Sequence, residues 1–182
     1  MLIDRFIEEG ISTVILVARW TLYATDTYDE PLPKFALQIN GQPIERDPQS
    51  ALKALETGLT KTVQAFTDVG IRVFLVRQVP AQKVLPRQVV ERAMQMQLGE
   101  DRARRLFEEY SVTVEEHDAL QARANTALDA QAGPLVDIIG LEEAFRVGDR
   151  YAWLGEGQTL LRDYDHLSAA GAQRAGQHLA DL

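Results

Sequence analysis

The nine residues "STVILVARW", Ser12 to Trp20, decide the fold. Val14, Ile15, Leu16 and Val17 follow one another with no polar residue between them. Such a run reads as a strand buried on both faces, the pattern of a parallel sheet. Two more runs of this kind follow: "IRVFLVRQVP" from Ile71, stopped by Pro80, and "LVDIIG" from Leu135. Helical patterns separate them. Leu2, Ile3, Phe6 and Ile7 share one face of a short helix that Gly10 can stop. Ser50 is placed to cap a helix in which Leu52, Leu55, Leu59, Val63 and Phe66 recur at helical spacing and which Gly70 ends.

Between the first strand and that helix, residues 21–50 form an excursion whose "FALQINGQPIE" carries Asn40-Gly41, a strong hairpin turn. A charged amphipathic segment spans about Arg87 to Tyr110 and breaks near Gly99. Thr113 and Glu116 then make a capping-box pattern ahead of a helix with Leu120, Ala124, Ala127 and Leu128, closed by Gly133-Pro134. Residues 150–162 read as a small hairpin turning at Gly155 to Gly157, and a short helix follows Ser168. Strands alternating with helices predict a layered α/β domain with a parallel sheet, one domain over residues 1–182.

The composition narrows the function classes. The chain has 182 residues, 27 of them acidic against 19 basic, for a net charge of −8. That balance repels a phosphate backbone, so nucleic acid is not an expected partner. Cysteine is absent, which removes disulfides, thiolate catalysis and zinc–cysteine sites. No apolar stretch reaches the roughly 20 residues of a membrane helix. The start, "MLIDRFIEEG", lacks the basic-then-apolar pattern of an export signal.

The chemistry gathers in "LLRDYDHLSAAGA", Leu160 to Ala172. Asp163 and His166 stand three apart just before a helix. A carboxylate there can hold one imidazole nitrogen and leave the other free as a base, which activates a hydroxyl. The plain alternative is a solvated loop ahead of a capped helix. Asp163, Asp165 and His166 also suit a divalent ion, but no second cluster has a recognisable ligand spacing, and neither metal nor cofactor is expected. His117 and His178, on helices among charged or small neighbours, read as surface histidines. "DRARR", Asp101 to Arg105, reads as a solvated helix face.

This block resembles the last motif of the SGNH hydrolase superfamily. It is more similar still to the SGNH-like C-terminal domains of bacterial membrane acyltransferases of the acyltransferase 3 type. The likeness extends through "VILVARW", the "QVP" of Gln78 to Pro80, and "GLEEAF…GEGQTLLRDYDHLS". It implies a flavodoxin-like three-layer α/β/α domain without its first strands, and O-acylation, usually acetylation, of cell-envelope polysaccharide in the periplasm or outside the cytoplasm. It makes His166 the base and Asp163 its orienter. The implied partners are the polysaccharide, an acyl donor and a membrane acyltransferase domain in a longer parent chain.

Two departures stand out. Members of that group often carry a cysteine pair around the small hairpin, and Arg146 and Tyr151 occupy the comparable places here. The superfamily's nucleophile sits in a Gly-Asp-Ser block, which this chain lacks. Ser12, Ser50, Ser111 and Ser168 are poor substitutes: the first is at the wrong end of a strand, the others in loops or caps. Arg19 and Trp20, after the first strand, lie at the edge where such sheets place ligands, with Arg19 near an anionic group and Trp20 either walling the pocket or packed beneath the excursion. Gln78 has a weaker claim at the same edge, and Trp153 reads as packing. Without a leading strand, residues 13–17 form an apolar sheet edge that the N-terminal helix covers or through which copies of the chain pair. The alternatives to a catalytic domain are a remnant that binds glycan or a partner through the old cleft, and a stand-alone esterase using another serine.

Overall fold

A computed structural model describes residues 2–25, 38–45 and 47–180. In chain order the elements are α1 (Leu2–Glu8), β1 (Thr13–Val17), α2 (Trp20–Thr25), β2 (Gln38–Ile39), β3 (Gln42–Pro43), α3 (Pro48–Thr67), β4 (Arg72–Val76), α4 (Pro86–Gln95), α5 (Glu100–Tyr110) and α6 (Val114–Asp129). Then come β5 (Val136–Ile139), a 3₁₀ turn (Glu142–Phe145), β6 (Arg146–Val147), β7 (Arg150–Tyr151), β8 (Leu154–Gly155), β9 (Gln158–Thr159) and α7 (Ala169–Ala180). They form two compact units, Met1–Gln78 with Leu120–Gly140, and Val79–Ala119 with Leu141–Leu182.

The first unit holds a parallel sheet in the order β1-β4-β5, with Val14 beside Val73, Leu16 beside Leu75, and Leu75 beside Ile138. β4 is central, and Val73, Leu75 and Val76 are fully buried. Leu59, Val63 and Phe66 of α3 pack with them, together with Ala124 and Leu128 of α6, while Phe6 of α1 stacks on Phe66 at 5.7 Å. Leu75→Ala in such a core costs about 2–5 kcal/mol. Asn40 and Gly41 have φ of 53° and 78°, the double left-handed turn that closes the β2–β3 hairpin. Phe35 to Leu37 lie outside the described residues.

Two expectations are corrected in this unit. β1 is not buried on both faces. Val14 and Leu16 pack on the core, but Ile15 is 58% and Val17 67% exposed. The strand is an edge among the described residues, and one of its faces meets no layer there. Asp47 rather than Ser50 caps α3: its carboxylate accepts the N–H groups of Gln49 (2.9 Å) and Ser50 (3.0 Å), and Pro48 opens the helix.

In the second unit the capping box forms as expected. Thr113 N–H donates to Glu116 Oε2 (3.0 Å), and Glu116 N–H donates to Thr113 Oγ1 (3.1 Å). Val89, Phe107, Trp153 and Leu161 make its core. Trp153 is packing, as expected: it meets Phe107 edge-on at 5.5 Å and its indole N–H donates to the Phe107 carbonyl at 2.8 Å. Gln82 is buried and fastens three segments. Its side chain donates to the Tyr151 carbonyl (3.1 Å) and accepts Val112 N–H (2.9 Å), and its own N–H donates to the Tyr164 carbonyl (2.7 Å).

His117 is not a surface residue. It is 2% exposed and packs edge-on against Tyr151, with ring centroids 4.8 Å apart. Desolvation pushes the imidazole down to about 4, against a small opposing pull from Asp118, and pushes the Tyr151 phenol up to about 12. Arg146 and Tyr151 face each other directly across the β6–β7 pair. The Tyr151 ring of this hairpin is buried.

Candidate active site

The loop ahead of α7 is pinched shut before any chemistry is considered. Arg162 N–H donates to the His166 carbonyl (2.8 Å), Ser168 N–H donates to the Leu160 carbonyl (3.0 Å), and Leu161 bridges Leu167. Leu160 and Leu161 are buried and anchor the strand side. On the helix side the Ser168 hydroxyl accepts Gly171 N–H at 3.1 Å and donates to the Thr159 carbonyl, so it caps α7. Gly171 has a separate reason to be glycine: a Cβ there would lie 1.9 Å from the Leu160 carbonyl oxygen.

Within the pinch, Asp163 folds the backbone back on itself. Its Oδ1 accepts the N–H of Asp165 (3.2 Å) and of His166 (2.9 Å), an Asx turn. The same carboxylate faces the imidazole, with Nδ1 2.9 Å from Oδ1 and 3.0 Å from Oδ2. Burial raises the Asp163 carboxyl, but the backbone and ring donors of His166 and the Asp165 N–H outweigh it and hold the group below its ordinary range. The His166 side chain is 53% exposed, and its Nε2 meets no hydrogen-bond partner among the described residues. A carboxylate thus fixes one ring nitrogen and leaves the other open, the arrangement of a general base.

Asp165, read from sequence as a candidate ligand of a divalent ion with Asp163 and His166, brings Oδ1 to 3.3 Å from the same Nδ1. The three side chains place ligand-type atoms within 4.8 Å of one another. Nδ1 makes its hydrogen bonds to Asp163 and also faces Oδ1 of Asp165.

The other expected site residues lie in the first unit. Trp20 is buried in its core, and the indole N–H donates to the Val76 carbonyl at 2.6 Å. Gln78 is buried as well, its Oε1 accepting Thr21 N–H (3.2 Å) and the Thr21 hydroxyl (2.8 Å). These contacts join the C-terminal ends of β1 and β4. Arg19 is half-buried beside them. A groove of about 440 Å³ runs past this end, lined by Ile15, Val17, Trp20, Tyr23, Leu55 and Leu59. Of the serines, Ser12 precedes β1, Ser50 lies in the first turn of α3, and Ser111 is buried with its hydroxyl on the Phe107 carbonyl at 2.8 Å.

Helices around a parallel three-stranded sheet, with an Asp-x-x-His loop ahead of the last helix, define an SGNH-like α/β/α domain. The chain belongs to the family of SGNH domains fused to AT3 domains, which it matches over residues 2–181. Among solved structures it is similar to the periplasmic domain of a lipopolysaccharide acetyltransferase from Salmonella ser. Paratyphi A. The TM-score is 0.59 and the identity 13%, over 98% of this chain and 59% of that one. The chain therefore spans less than two thirds of that neighbour. No curated protein matches it. No helix among the described residues is long and apolar enough to cross a membrane.

Proposed function

We propose that this SGNH-type acyltransferase domain supplies the Asp–His pair of a Ser-His-Asp triad that transfers or removes acyl groups on cell-envelope glycans, outside the cytoplasm. The observation that carries the reading is the imidazole of His166, fixed at Nδ1 by Asp163 and open at Nε2. Nε2 takes the proton of an attacking hydroxyl, the hydroxyl oxygen bonds to the acyl carbonyl carbon, and the proton passes to the leaving oxygen as the tetrahedral intermediate collapses. Such help contributes on the order of 10²–10⁴-fold in rate.

The attacking serine is not evident in these 182 residues. In the second unit, Ser111 and Ser168 already spend their hydroxyls on backbone carbonyls. The triad reading accordingly places the nucleophile on a longer parent chain with a membrane acyltransferase domain, as the family's fusion suggests. Arg19 is the proposed substrate contact at the β1 end, while Trp20 and Gln78 give that end its shape. The exposed Ile15 and Val17 make β1 the proposed pairing surface between copies. A concentration-dependent dimer that Ile15→Lys/Val17→Lys abolishes supports this pairing, and a monomer at all concentrations refutes it.

The function is tested in the native host by replacing His166 with Ala and measuring ester-linked acetyl on the extracted polysaccharide by proton NMR. Loss of acetyl esters or their accumulation is expected, according to whether transfer or removal dominates. An unchanged acyl content overturns the reading. In vitro, the 182-residue chain should exceed its His166→Ala variant in p-nitrophenyl acetate hydrolysis by no more than the rate that free imidazole gives. A larger His166-dependent rate reveals a hydroxyl nucleophile within the chain.

A further inference from the structure

The triad reading gives His166 one aspartate, yet the loop delivers two. We propose that Asp165 is a second positioning residue for the imidazole, sharing Nδ1 with Asp163, so that the ring keeps its Nδ1–H tautomer when the Asp163 contact opens. This rests on the Asp–His reading of the site and adds a residue to it.

In the structure Nδ1 is hydrogen-bonded to Asp163 and has Asp165 just beyond it. Nδ1 lies 2.9 and 3.0 Å from the two oxygens of Asp163 and 3.3 Å from Oδ1 of Asp165. The two carboxylates sit in different surroundings. The Asp163 side chain is 33% exposed, whereas that of Asp165 is 4% exposed. Water and salt weaken the first contact far more than the second. Asp163 also has other duties, since its Oδ1 holds two backbone N–H groups of the turn.

The backbone fixes Asp165 independently of the ring. Its N–H is held by Asp163 Oδ1, the preceding carbonyl of Tyr164 accepts Gln82 N–H at 2.7 Å, and Arg162 N–H closes the loop onto the His166 carbonyl. A side chain on so constrained a backbone is a stable partner for a ring that is itself half in solvent.

The chemistry follows from counting protons. A neutral imidazole with Nδ1–H has one proton to offer and several carboxylate oxygens around it, so one oxygen can replace another without the ring turning. When Nε2 takes a proton, both carboxylates flank the imidazolium. Among the described charged groups, Arg162 opposes this, with its Nε 3.9 Å from Asp163 Oδ2.

The test is ring nitrogen NMR of His166 in the 182-residue chain, through a pH titration, for the wild type, Asp163→Asn, Asp165→Asn and the double variant. Asp163→Asn should keep the Nδ1–H tautomer, and only the double variant should lose it. Asp165→Asn alone should keep it as well, because Asp163 then holds Nδ1 by itself. Asp163→Asn with the same tautomer population as the double variant overturns the proposal.

Because Asp165 is buried, its replacement risks unfolding the loop, and the wild type carries a readout of its own. With ¹³C-labelled aspartate, the Asp165 Cγ signal should step at the His166 midpoint. A Cγ signal that stays flat through that midpoint also overturns the proposal. Neither measurement needs turnover, so failure of the acyl-transfer reading would leave this result standing, and the reverse holds too.

Discussion

Acid should weaken this fold through His117 before its carboxylates titrate fully. The imidazole is 2% exposed against Tyr151, and desolvation lowers it from 6.5 to about 4. Above pH 6.5 the ring is neutral in both folded and unfolded chains and adds no pH dependence. Below that value the unfolded chain binds a proton that the folded chain refuses, so stability falls as pH falls, and the loss levels off below about 4. At about 1.4 kcal/mol for each pH unit across that gap, the loss is about 3 kcal/mol, a large part of a typical domain's stability. Urea denaturation from pH 7 to 4 measures it, with His117→Leu as the reference. The wild type should lose about 3 kcal/mol more than the variant, with the difference falling between pH 6.5 and 4. Parallel curves would refute the buried-neutral assignment.

Gly171→Ala should cost more than about 3 kcal/mol, because the added Cβ meets the rigid Leu160 carbonyl, and an unchanged urea midpoint would contradict that contact. Gln97→Gly should raise the melting temperature, by about 0.5–1 kcal/mol in stability. Gln97 follows α4 at a φ of 50°, which glycine adopts without strain, and calorimetry decides. Asp163→Ala should lower stability by about 1 kcal/mol as it opens the Asx turn, whereas His166→Ala, half exposed, should stay within about 0.5 kcal/mol. Equal losses would show the ring to be structural.

The three strands were legible because unbroken Val, Ile and Leu runs this short, bounded by turn residues, have few other uses. Thr113–Glu116 and Asn40-Gly41 were legible because their geometry is local. The exposed face of β1 was not, since "TVILV" is the same run whether or not a layer covers it. His117 was misread from its acidic neighbours, although a helical count places it at i with Gln121, Ala124 and Leu128 at i+4, i+7 and i+11, all buried. The Asp163–His166 pair was legible from its spacing. The contact of Asp165 depends on how the turn folds, and the need for Gly171 depends on where the chain passes Leu160, so neither shows in the one-dimensional pattern.

Asp163 serves two masters, since the oxygen that steadies the imidazole is also the one that ties the turn. On the proposed triad reading, natural drift toward an inert copy would therefore keep this aspartate for the sake of the loop long after that chemistry lapsed. The ring of His166 carries no such second duty, half in water with one nitrogen unclaimed. Its survival across sister chains is the sounder sign that a domain of this shape still works for a living.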